Sequence, residues 1–271
     1  MKNFGAQYVV YEDSGFLAES ILRVYPLVHK ILIMVGLEPW NGKGDRGIPK
    51  ATLSKIMDMD DPEHKFIIVS KKWDTEHEQR NEGVRILHDH GCEWCLLIDD
   101  DEMYNRSELW NTMNLISNAW YSNGRPSAYV VKQLIYWKDR DHVIENLTGA
   151  MPHFVSTRPG DVMFVSARSF SVLGGVFSDI SEDALICHHM SYVKDGGQMR
   201  RRFTWFSHSQ GVKEEWIDRV FEKWTPEMTD LHPEHPASFR RAIPVADTPW
   251  RLELLPPPLR RGTSGKALLG R

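Results

Sequence analysis

Short apolar runs alternate with amphipathic segments through residues 1–124, and this alternation limits the fold more than any other feature of the chain. Four runs, Gln7–Tyr11, Lys30–Gly36, Lys65–Ser70 and Trp94–Ile98, are five to seven residues long. That is the length of strands buried on both faces of a parallel sheet. Such a strand–helix order predicts an α/β fold with a mainly parallel central sheet and helices on both faces.

Helices are expected over residues 12–28, 74–91 and 107–124, between and after the predicted strands. The second of these is the best marked, because Thr75 and Glu78 have the spacing of a capping box and Gly91 can end the helix. The glycine-rich stretch over residues 38–47 does not follow the first strand, as a phosphate-binding loop of this fold would. It is therefore predicted to be a loop rather than a phosphate cradle.

The second half of the chain has a different pattern. Residues 127–144 and 159–170 favour longer strands in a smaller mixed or antiparallel part, and residues 195–209 and 213–224 favour helices. We therefore predict one domain with a nucleotide-binding half at 1–124 and an acceptor-binding half at 125–255. A basic, flexible tail is expected at 256–271.

Composition narrows the class of protein. Apolar residues make up 41% and charged residues 26% of the chain, which is ordinary for a soluble globular protein. The sequence has no run long and apolar enough for a membrane span and begins without a signal-peptide core. Its three cysteines, Cys92, Cys95 and Cys187, are expected to be buried thiols in a reducing cytoplasm rather than zinc ligands. The net charge of −4 argues against wholesale wrapping of nucleic acid.

An acidic cluster follows the fourth predicted strand. In "CLLIDDDEMY", Asp99, Asp100, Asp101 and Glu102 come directly after apolar residues. One interpretation is a solvated turn, in which acidic residues are common. In open α/β sheets, however, ligands bind beyond the carboxyl ends of the strands, and carboxylate oxygens there suit a hard divalent cation.

The phosphate-binding motifs of other nucleotide-binding proteins are missing from the sequence. It contains no GxxxxGK[ST] loop, and no GxGxxG follows the first strand. A divalent cation, Mn²⁺ or Mg²⁺, is then expected to bridge the acidic cluster and a diphosphate. Such an ion would neutralise the departing diphosphate as a Lewis acid.

Four elements in this order resemble glycosyltransferases of the GT-A fold, near family 2. They are the acidic pair Glu12–Asp13 after the first strand, "QRNEGV" with Arg80 and Asn81, "LLIDDDE" with Asp99 and Asp101 as a DxD pair, and the later "CHHMSYV". The resemblance implies a Rossmann-like nucleotide-binding domain. It also implies transfer of a sugar from a nucleotide-diphosphate sugar, most commonly a UDP-sugar, to an acceptor hydroxyl.

The same resemblance implies roles for the acidic cluster and the histidines. Asp101 would bind the metal, and Asp99 would reach it through water or bind the ribose and sugar. Asp100 is expected on the opposite face of the strand, and a backbone-capping role for it stays open. His189 would be the third protein ligand of the metal, with His188 as the neighbour that could take its place.

Further residues of the donor site follow from the resemblance. Tyr11 and Glu12 would lie near the nucleobase and ribose, and Arg80 would face the diphosphate or brace the surrounding loop. The implied nucleotide-sugar site comprises Tyr11, Glu12, Arg80, Asn81, Asp99 and Asp100.

A catalytic base is harder to assign. An inverting enzyme needs a carboxylate to deprotonate the acceptor, and Asp179, Glu182 and Asp183 are the candidates just before the histidine pair. Whether the enzyme inverts or retains stays open. The basic–aromatic stretch at 200–206 is expected to be an amphipathic helix whose aromatic side chains pack inward, rather than an acceptor surface.

Three other classes of function stay open. A metal-dependent phosphoesterase or nuclease could use the same acidic cluster, although two-metal hydrolases need a second set of ligands. A nucleotidyltransferase has a similar α/β core, but its glycine-rich loop belongs after the first strand, where this sequence has "YEDSGF". A non-catalytic binding protein on this scaffold is the third. For a transferase the acceptor is unidentified and could be a glycan, a small molecule, a protein or a modified nucleic-acid base.

Overall fold

The computed structural model describes residues 3–43, 45, 47–119, 126–166, 169–172, 176–205 and 214–255. The end of the helix predicted to reach Gly124, residues 206–213 between the last two predicted helices, and the predicted tail at 256–271 lie outside them.

Strands form most of the regular structure. They are β1 (Phe4–Val10), β2 (Lys30–Gly36), β3 (Phe66–Lys71), β4 (Trp94–Asp99), β5 (Glu102–Met103), β6 (Pro126–Trp137), β7 (His142–Ile144), β8 (Thr148–Ser156), β9 (Val162–Ser166), β10 (Ser169–Val172), β11 (Val176–Asp179), β12 (Cys187–Tyr192) and β13 (Ala242–Pro244).

Helices lie between and after these strands. They are α1 (Leu17–Val24), α2 (Gly47–Met57), α3 (Glu76–Asp89), α4 (Arg106–Ala119), α5 (Gly196–Trp205) and the short α6 (Glu214–Trp216), which continues as a π-helical turn (Ile217–Phe221). None of the helices in the described residues is long and apolar enough to cross a membrane.

The central sheet has a parallel half and a mixed half. Its main path runs β13-β7-β6-β8-β4-β1-β2-β3, and β1 pairs in parallel with both β2 and β4. Antiparallel β8 joins β4 to the long strand β6. Strands β11 and β12 pair in parallel with β6, and β12 also pairs with the short β5. The predicted α/β class, with a parallel part followed by a mixed part, is confirmed.

The inner parallel strands β1 and β2 are covered on both faces. Strand β1 is buried along its whole length, and β2 is buried from Ile31 to Gly36. Their side chains pack between α1 and α4 on one face and α3 on the other, as a strand without polar alternation requires. The three cysteines are buried and not joined in disulfides, as predicted.

The start of α3 has the predicted cap. The side chain of Thr75 accepts a hydrogen bond from the backbone N–H of Glu78 at 3.3 Å. Beyond the other end of the helix, Gly91 has a φ of +78°, a conformation that glycine adopts without steric cost. Helix α3 is therefore fixed in register, which matters because it carries Gln79 and Arg80 to the sheet.

Aromatic side chains form a second core in the mixed half. Trp137 lies at its centre, with ring centroids 5.0 Å from Tyr192, 5.6 Å from Phe221 and 6.3 Å from Trp216. Phe203 of α5 packs edge-on against Trp216 at 6.0 Å, so this predicted inward-facing aromatic residue does pack inward. Helix α5 is thus attached to the end of β6.

Candidate nucleotide and metal site

A pocket opens at the carboxyl ends of β1, β2 and β4. It is a cleft open to solvent, and its empty space, solvent at the mouth included, is about 990 Å³. Its walls are residues 9–14, 36, 38–40 and 99–101, one face of α3, and Lys194 with one face of α5. The position is the one predicted from the parallel sheet.

Asp99 ends β4 at the floor of this pocket. Its Oδ1 accepts a hydrogen bond from Nη2 of Arg80 at 3.0 Å, and its backbone N–H donates to Oε2 of Glu102 at 2.9 Å. Arg80 also contacts Glu76 at 2.7 Å, one turn earlier in α3. Both the backbone and the side chain of Asp99 are therefore held in place.

Asp100 points away from its neighbours toward the loop after β1. Its Oδ2 accepts from the backbone N–H of Ser14 at 2.5 Å, and its carbonyl accepts from the hydroxyl of Ser14 at 3.3 Å. Burial, followed by the adjacent charge of Asp101, raises the pKa of the Asp100 carboxyl. The structure thus gives Asp100 the backbone-capping contact that the sequence left open.

Asp101 is only 3% exposed and is surrounded by positive groups. Its Oδ1 lies 3.2 Å from Nε2 of His189. Its Oδ2 lies 3.1 Å from Nη1 of Arg202 and 3.4 Å from Nζ of Lys194. Three groups far away in sequence therefore converge on one carboxylate.

These contacts shift the pKa values in the directions expected for paired charges. Burial alone would raise the pKa of the Asp101 carboxyl, but His189, Lys194 and Arg202 hold it well below its usual value. Burial alone would lower the pKa of His189, but Asp101 raises it above the usual value for an imidazole. Burial outweighs Asp101 for Lys194 and lowers the pKa of its ammonium.

His189 and Asp101 together fit a divalent cation. The imidazole nitrogen of His189 on β12 and the carboxylate oxygen of Asp101, in the turn between β4 and β5, are donors suited to Mn²⁺, and the carboxylate also suits Mg²⁺. The other ring nitrogen of His189, Nδ1, is buried without a hydrogen-bond partner. Asp99, two residues before Asp101, is partly exposed to the pocket, with 35% of its side chain accessible. These donor types fit the predicted ion, and its binding at this position stays a prediction.

His188 does not join this site. Adjacent residues of a strand face opposite sides, so His188 points away from Asp101 and its Nδ1 lies 3.0 Å from the hydroxyl of Tyr136. Burial, followed by the charge of Arg23, lowers the pKa of His188 to about 3. The structure thus favours His189 over His188 as the histidine beside the acidic cluster.

A second group of ligand-type side chains lies within the core. One such atom from each of Glu102, His153 and Cys187 lies within 4.8 Å of the others, and all three residues are buried. The oxygens of Glu102 accept from Gln133 at 2.9 Å and from the backbone of Asp99 at 2.9 Å. The carboxylate is thus already engaged, and we interpret the group as the polar network that fixes Asp99.

Two aromatic rings line the opposite wall of the pocket. The hydroxyl of Tyr11 donates to the carbonyl of Asp45 at 2.7 Å, and Nε1 of Trp40 donates to Oε1 of Gln79 at 3.1 Å. These bonds fix the orientation of both rings. A planar base could stack on such rings. Tyr11 lines the pocket, and its place near the nucleobase stays a prediction. Trp40 was not predicted, because the sequence shows only a glycine-rich loop there.

Glu12 lies in the pocket wall, 3.6 Å from Nε of Arg201 across the mouth. Asn81 does not line the pocket. Its side-chain amide donates to the carbonyl of Phe164 at 2.9 Å and accepts from the N–H of the same residue at 2.8 Å. Asn81 therefore holds β9 against α3, and its predicted role in donor binding gains no support from this position.

The three candidate bases lie elsewhere. Asp179 ends β11 and pairs with Val130, while Glu182 forms an ion pair with Lys132 at 2.7 Å on the surface. The backbone N–H of Asp183 donates to the hydroxyl of Ser181 at 3.3 Å. None of the three lines the pocket. Their role as a base stays a prediction.

Lys194, Arg201 and Arg202 are site residues that sequence reasoning missed. Each lines the pocket, although the basic run at 200–202 was interpreted as one face of an amphipathic helix. The signal was present in part, since this run lies shortly after the histidine pair in the sequence. Its direction toward Asp101 depends on how β12 and α5 are packed, which no local pattern shows.

Comparisons with known proteins give only distant structural likenesses. No protein-family model matches the chain, and no curated protein matches it. Among solved structures, S. aureus TarS 1–349 in complex with UDP-GlcNAc is 14% identical with a TM-score of 0.43, over 80% of this chain and 70% of that one. GalNAc-T7 with UDP, GalNAc and Mn²⁺ is 8% identical with a TM-score of 0.48, over 79% of this chain and 52% of that one. These values do not by themselves assign a function.

Proposed function

We propose that this chain is a metal-dependent glycosyltransferase of the GT-A fold, near family 2, acting on a nucleotide-diphosphate sugar. The observation that carries the proposal is the contact between Asp101 and His189 at the carboxyl ends of the strands. It places the second acid of the DxD pair and the later histidine side by side, although they are far apart in sequence. The pocket beside them opens where ligands of α/β sheets bind.

The walls of the pocket suggest how the donor lies. The nucleobase would stack on Tyr11 and Trp40, whose rings are already oriented by hydrogen bonds. The diphosphate would then lie toward the positive groups of Arg80 and Lys194 at the other end. A UDP-sugar is the donor that the family resemblance favours.

Asp101 and His189 are the residues that would hold Mn²⁺ or Mg²⁺, with Asp99 beside them. When bound, the ion supplies Lewis-acid stabilisation of the leaving diphosphate. The chain itself orients Asp99 through Arg80 and through the backbone bond to Glu102. It also partly shields Asp101 from water, so that its charge interacts strongly with a bound cation.

The acceptor is a hydroxyl of a molecule that the chain does not identify. It would approach from the 125–255 half, where Asp179, Glu182 and Asp183 are the proposed sources of a base. A cytoplasmic location is part of the same proposal. The hydrolase alternative needs a second metal-binding set open to the pocket, and the group of Glu102, His153 and Cys187 is instead buried.

Thermal unfolding with nucleotides tests the proposal. Wild type and Asp101→Ala would be heated with a panel of nucleoside diphosphates and nucleotide sugars, each with and without Mn²⁺. We expect one nucleotide to raise the melting temperature of wild type only when Mn²⁺ is present, because a ligand that binds the folded state stabilises it. Asp101→Ala should lose that increase.

Asp89→Ala is the matched control. Asp89 is an exposed carboxylate paired with Arg85 on the surface of α3, so its removal should leave the increase intact. Release of nucleoside diphosphate from the stabilising nucleotide sugar would then show turnover. An absence of any nucleotide effect on wild type, or an equal effect in Asp101→Ala, would refute the proposed site.

A further inference from the structure

The carboxylate of Asp101 has one negative charge, and more than one positive group surrounds it. Lys194 and Arg202 place basic groups beside its Oδ2, at 3.4 and 3.1 Å, and His189 lies 3.2 Å from its Oδ1. Both oxygens that would bind a metal ion are thus already engaged. These positive groups therefore largely offset, at Asp101, the repulsion among the adjacent acidic residues.

The two cations come from one short segment and share a second anchor. Lys194 and Arg202 both donate to the carbonyl of Ser191, at 3.2 and 3.0 Å. Their side chains are 7% and 17% exposed, and both line the pocket. Both cations therefore share a backbone partner and both reach Asp101 at the edge of the pocket, and Arg202 also donates to the hydroxyl of Ser191 at 3.3 Å.

Helix α5 itself is attached on its other sides. Arg200 forms ion pairs with Glu222, at 2.9 Å, and with Asp218. Met199 is buried in the aromatic core. Gly196 packs so closely on Glu222 that a Cβ there would lie 1.9 Å from its Oε1. The backbone that carries Arg202 is thus held, while its long side chain reaches into the pocket.

A divalent cation and these two side chains compete for the same carboxylate. Like charges a few ångströms apart repel strongly in a partly buried site. A nucleoside diphosphate brings several negative charges to the same pocket, and Lys and Arg side chains are common partners of phosphate oxygens. The diphosphate can therefore accept the two cations that a metal ion displaces from Asp101.

We propose that Lys194 and Arg202 exchange partners, holding Asp101 while the pocket lacks donor and binding the diphosphate when a divalent cation takes Asp101. The inference rests on the proposed function, because it needs a metal ion and a nucleoside diphosphate in this pocket. It predicts that the metal ion and the nucleoside diphosphate bind cooperatively. The diphosphate takes the two cations that would repel the metal ion, and the metal ion neutralises the carboxylate that would repel the diphosphate.

Binding measurements with Mn²⁺ alone, UDP alone and both together test the exchange. Free Mn²⁺ can be followed by electron paramagnetic resonance, and UDP by calorimetry at saturating Mn²⁺. If UDP does not bind wild type, GDP, ADP and CDP are used in its place.

For Lys194→Met and Arg202→Met we expect Mn²⁺ alone to bind about tenfold more tightly, because a competing charge has gone. The nucleotide with Mn²⁺ should bind about tenfold more weakly in the same variants.

Tighter binding of Mn²⁺ together with weaker binding of the nucleotide distinguishes the exchange from a structural role, which would weaken both. Arg241→Met is the matched control, because Arg241 is an exposed arginine paired with Glu145 outside the pocket and takes no part in holding α5. It should change neither affinity. Arg202→Lys keeps the charge and should fall between wild type and Arg202→Met for both ligands. It also provides a second reading if the methionine variant does not fold.

Other outcomes separate the two proposals. Mn²⁺ affinity that is unchanged or weaker in both methionine variants, with nucleotide binding retained by wild type, would overturn the exchange and leave the glycosyltransferase proposal standing. Wild type that binds none of the four nucleoside diphosphates, with or without Mn²⁺, would overturn the proposed function itself.

Discussion

Arg80 donates from Nη2 to Oδ1 of Asp99 at 3.0 Å, and this guanidinium is almost completely buried, at 1% exposure. Glu76 in the same helix completes the arrangement at 2.7 Å. A buried cation with two carboxylates both fixes the end of β4 and keeps positive charge beneath the pocket. Removal of one member of such a group leaves the others unpaired, which is costly.

Arg80→Met is therefore expected to lower the free energy of unfolding by about 3 kcal/mol and to weaken nucleotide binding. Arg80→Lys keeps the charge without the planar fork and should lose less stability. Urea unfolding and calorimetry measure the two effects. Arg85→Met, one turn further along α3 and exposed beside Asp89, should cost less than about 1 kcal/mol. Equal losses in Arg80→Met and Arg85→Met would contradict this assignment.

Gly83 is required by its contact with a buried glutamine. A Cβ at this position would lie 1.7 Å from Nε2 of Gln7, which donates to the carbonyl of Arg80 at 3.1 Å. Gly83→Ala should destabilise the protein by about 2 kcal/mol, since overpacking outweighs the gain in helix propensity. Thermal or urea unfolding gives the value.

The double variant Gln7→Ala, Gly83→Ala provides the internal control. With the glutamine side chain removed, the added methyl group has space on that side. Its other close neighbour is the flexible side chain of Met34, whose Sδ lies 2.7 Å from the added Cβ. In the Gln7→Ala background, Gly83→Ala should then cost little stability or should stabilise the helix. A Gly83→Ala penalty that stays the same in the Gln7→Ala background would rule out this contact as its cause.

The parallel half of the fold could be predicted because its signals are local. Strand β2 was predicted with its observed bounds, Lys30–Gly36, and the capping box of α3 was recognised. Helix α2, Gly47–Met57, was not predicted, because it follows a glycine-rich stretch and has only a weak apolar face. Tertiary packing on the sheet, rather than its own pattern, holds this helix.

The site shows where sequence reasoning ends. Arg80 and Asn81 are neighbours in sequence, but helix geometry turns successive side chains by about 100°, so one faces Asp99 and the other faces β9. Lys194 and Arg202 reach Asp101 across about a hundred residues of chain. Contacts of this kind depend on how whole elements pack, which residue spacing does not contain.

Asp100 should act on the pocket through the loop after β1. Its carboxylate accepts from the N–H of Ser14 at 2.5 Å, so Asp100→Ala removes the acceptor of a partly buried donor. We expect a loss of about 1–2 kcal/mol in the free energy of unfolding and faster amide exchange over residues 12–16. Asp100→Asn keeps an acceptor oxygen and should protect the loop nearly as well as wild type. Equal amide exchange in all three proteins would contradict the capping role.

His232 should make the stability of the mixed half depend on pH. Its ring is buried against Trp216 and Phe239, and its Nδ1 accepts from the N–H of Glu234 at 3.2 Å. Burial, followed by the charge of His235, lowers the pKa of His232 from 6.5 to about 4, with Glu234 acting in the opposite direction. The folded protein thus keeps this imidazole neutral at a pH where the unfolded chain protonates it.

Between these two pKa values the unfolded state binds more protons, so stability must fall as the pH falls from about 6.5 to about 4. The full loss from this one group is about 3 kcal/mol. Urea unfolding of wild type and His232→Asn between pH 7 and pH 4 measures it, because the asparagine retains an acceptor but does not titrate. Other carboxylates lose stability in both proteins, so the difference between them isolates His232. Parallel pH profiles for the two proteins would show that His232 is protonated equally in the folded and unfolded states.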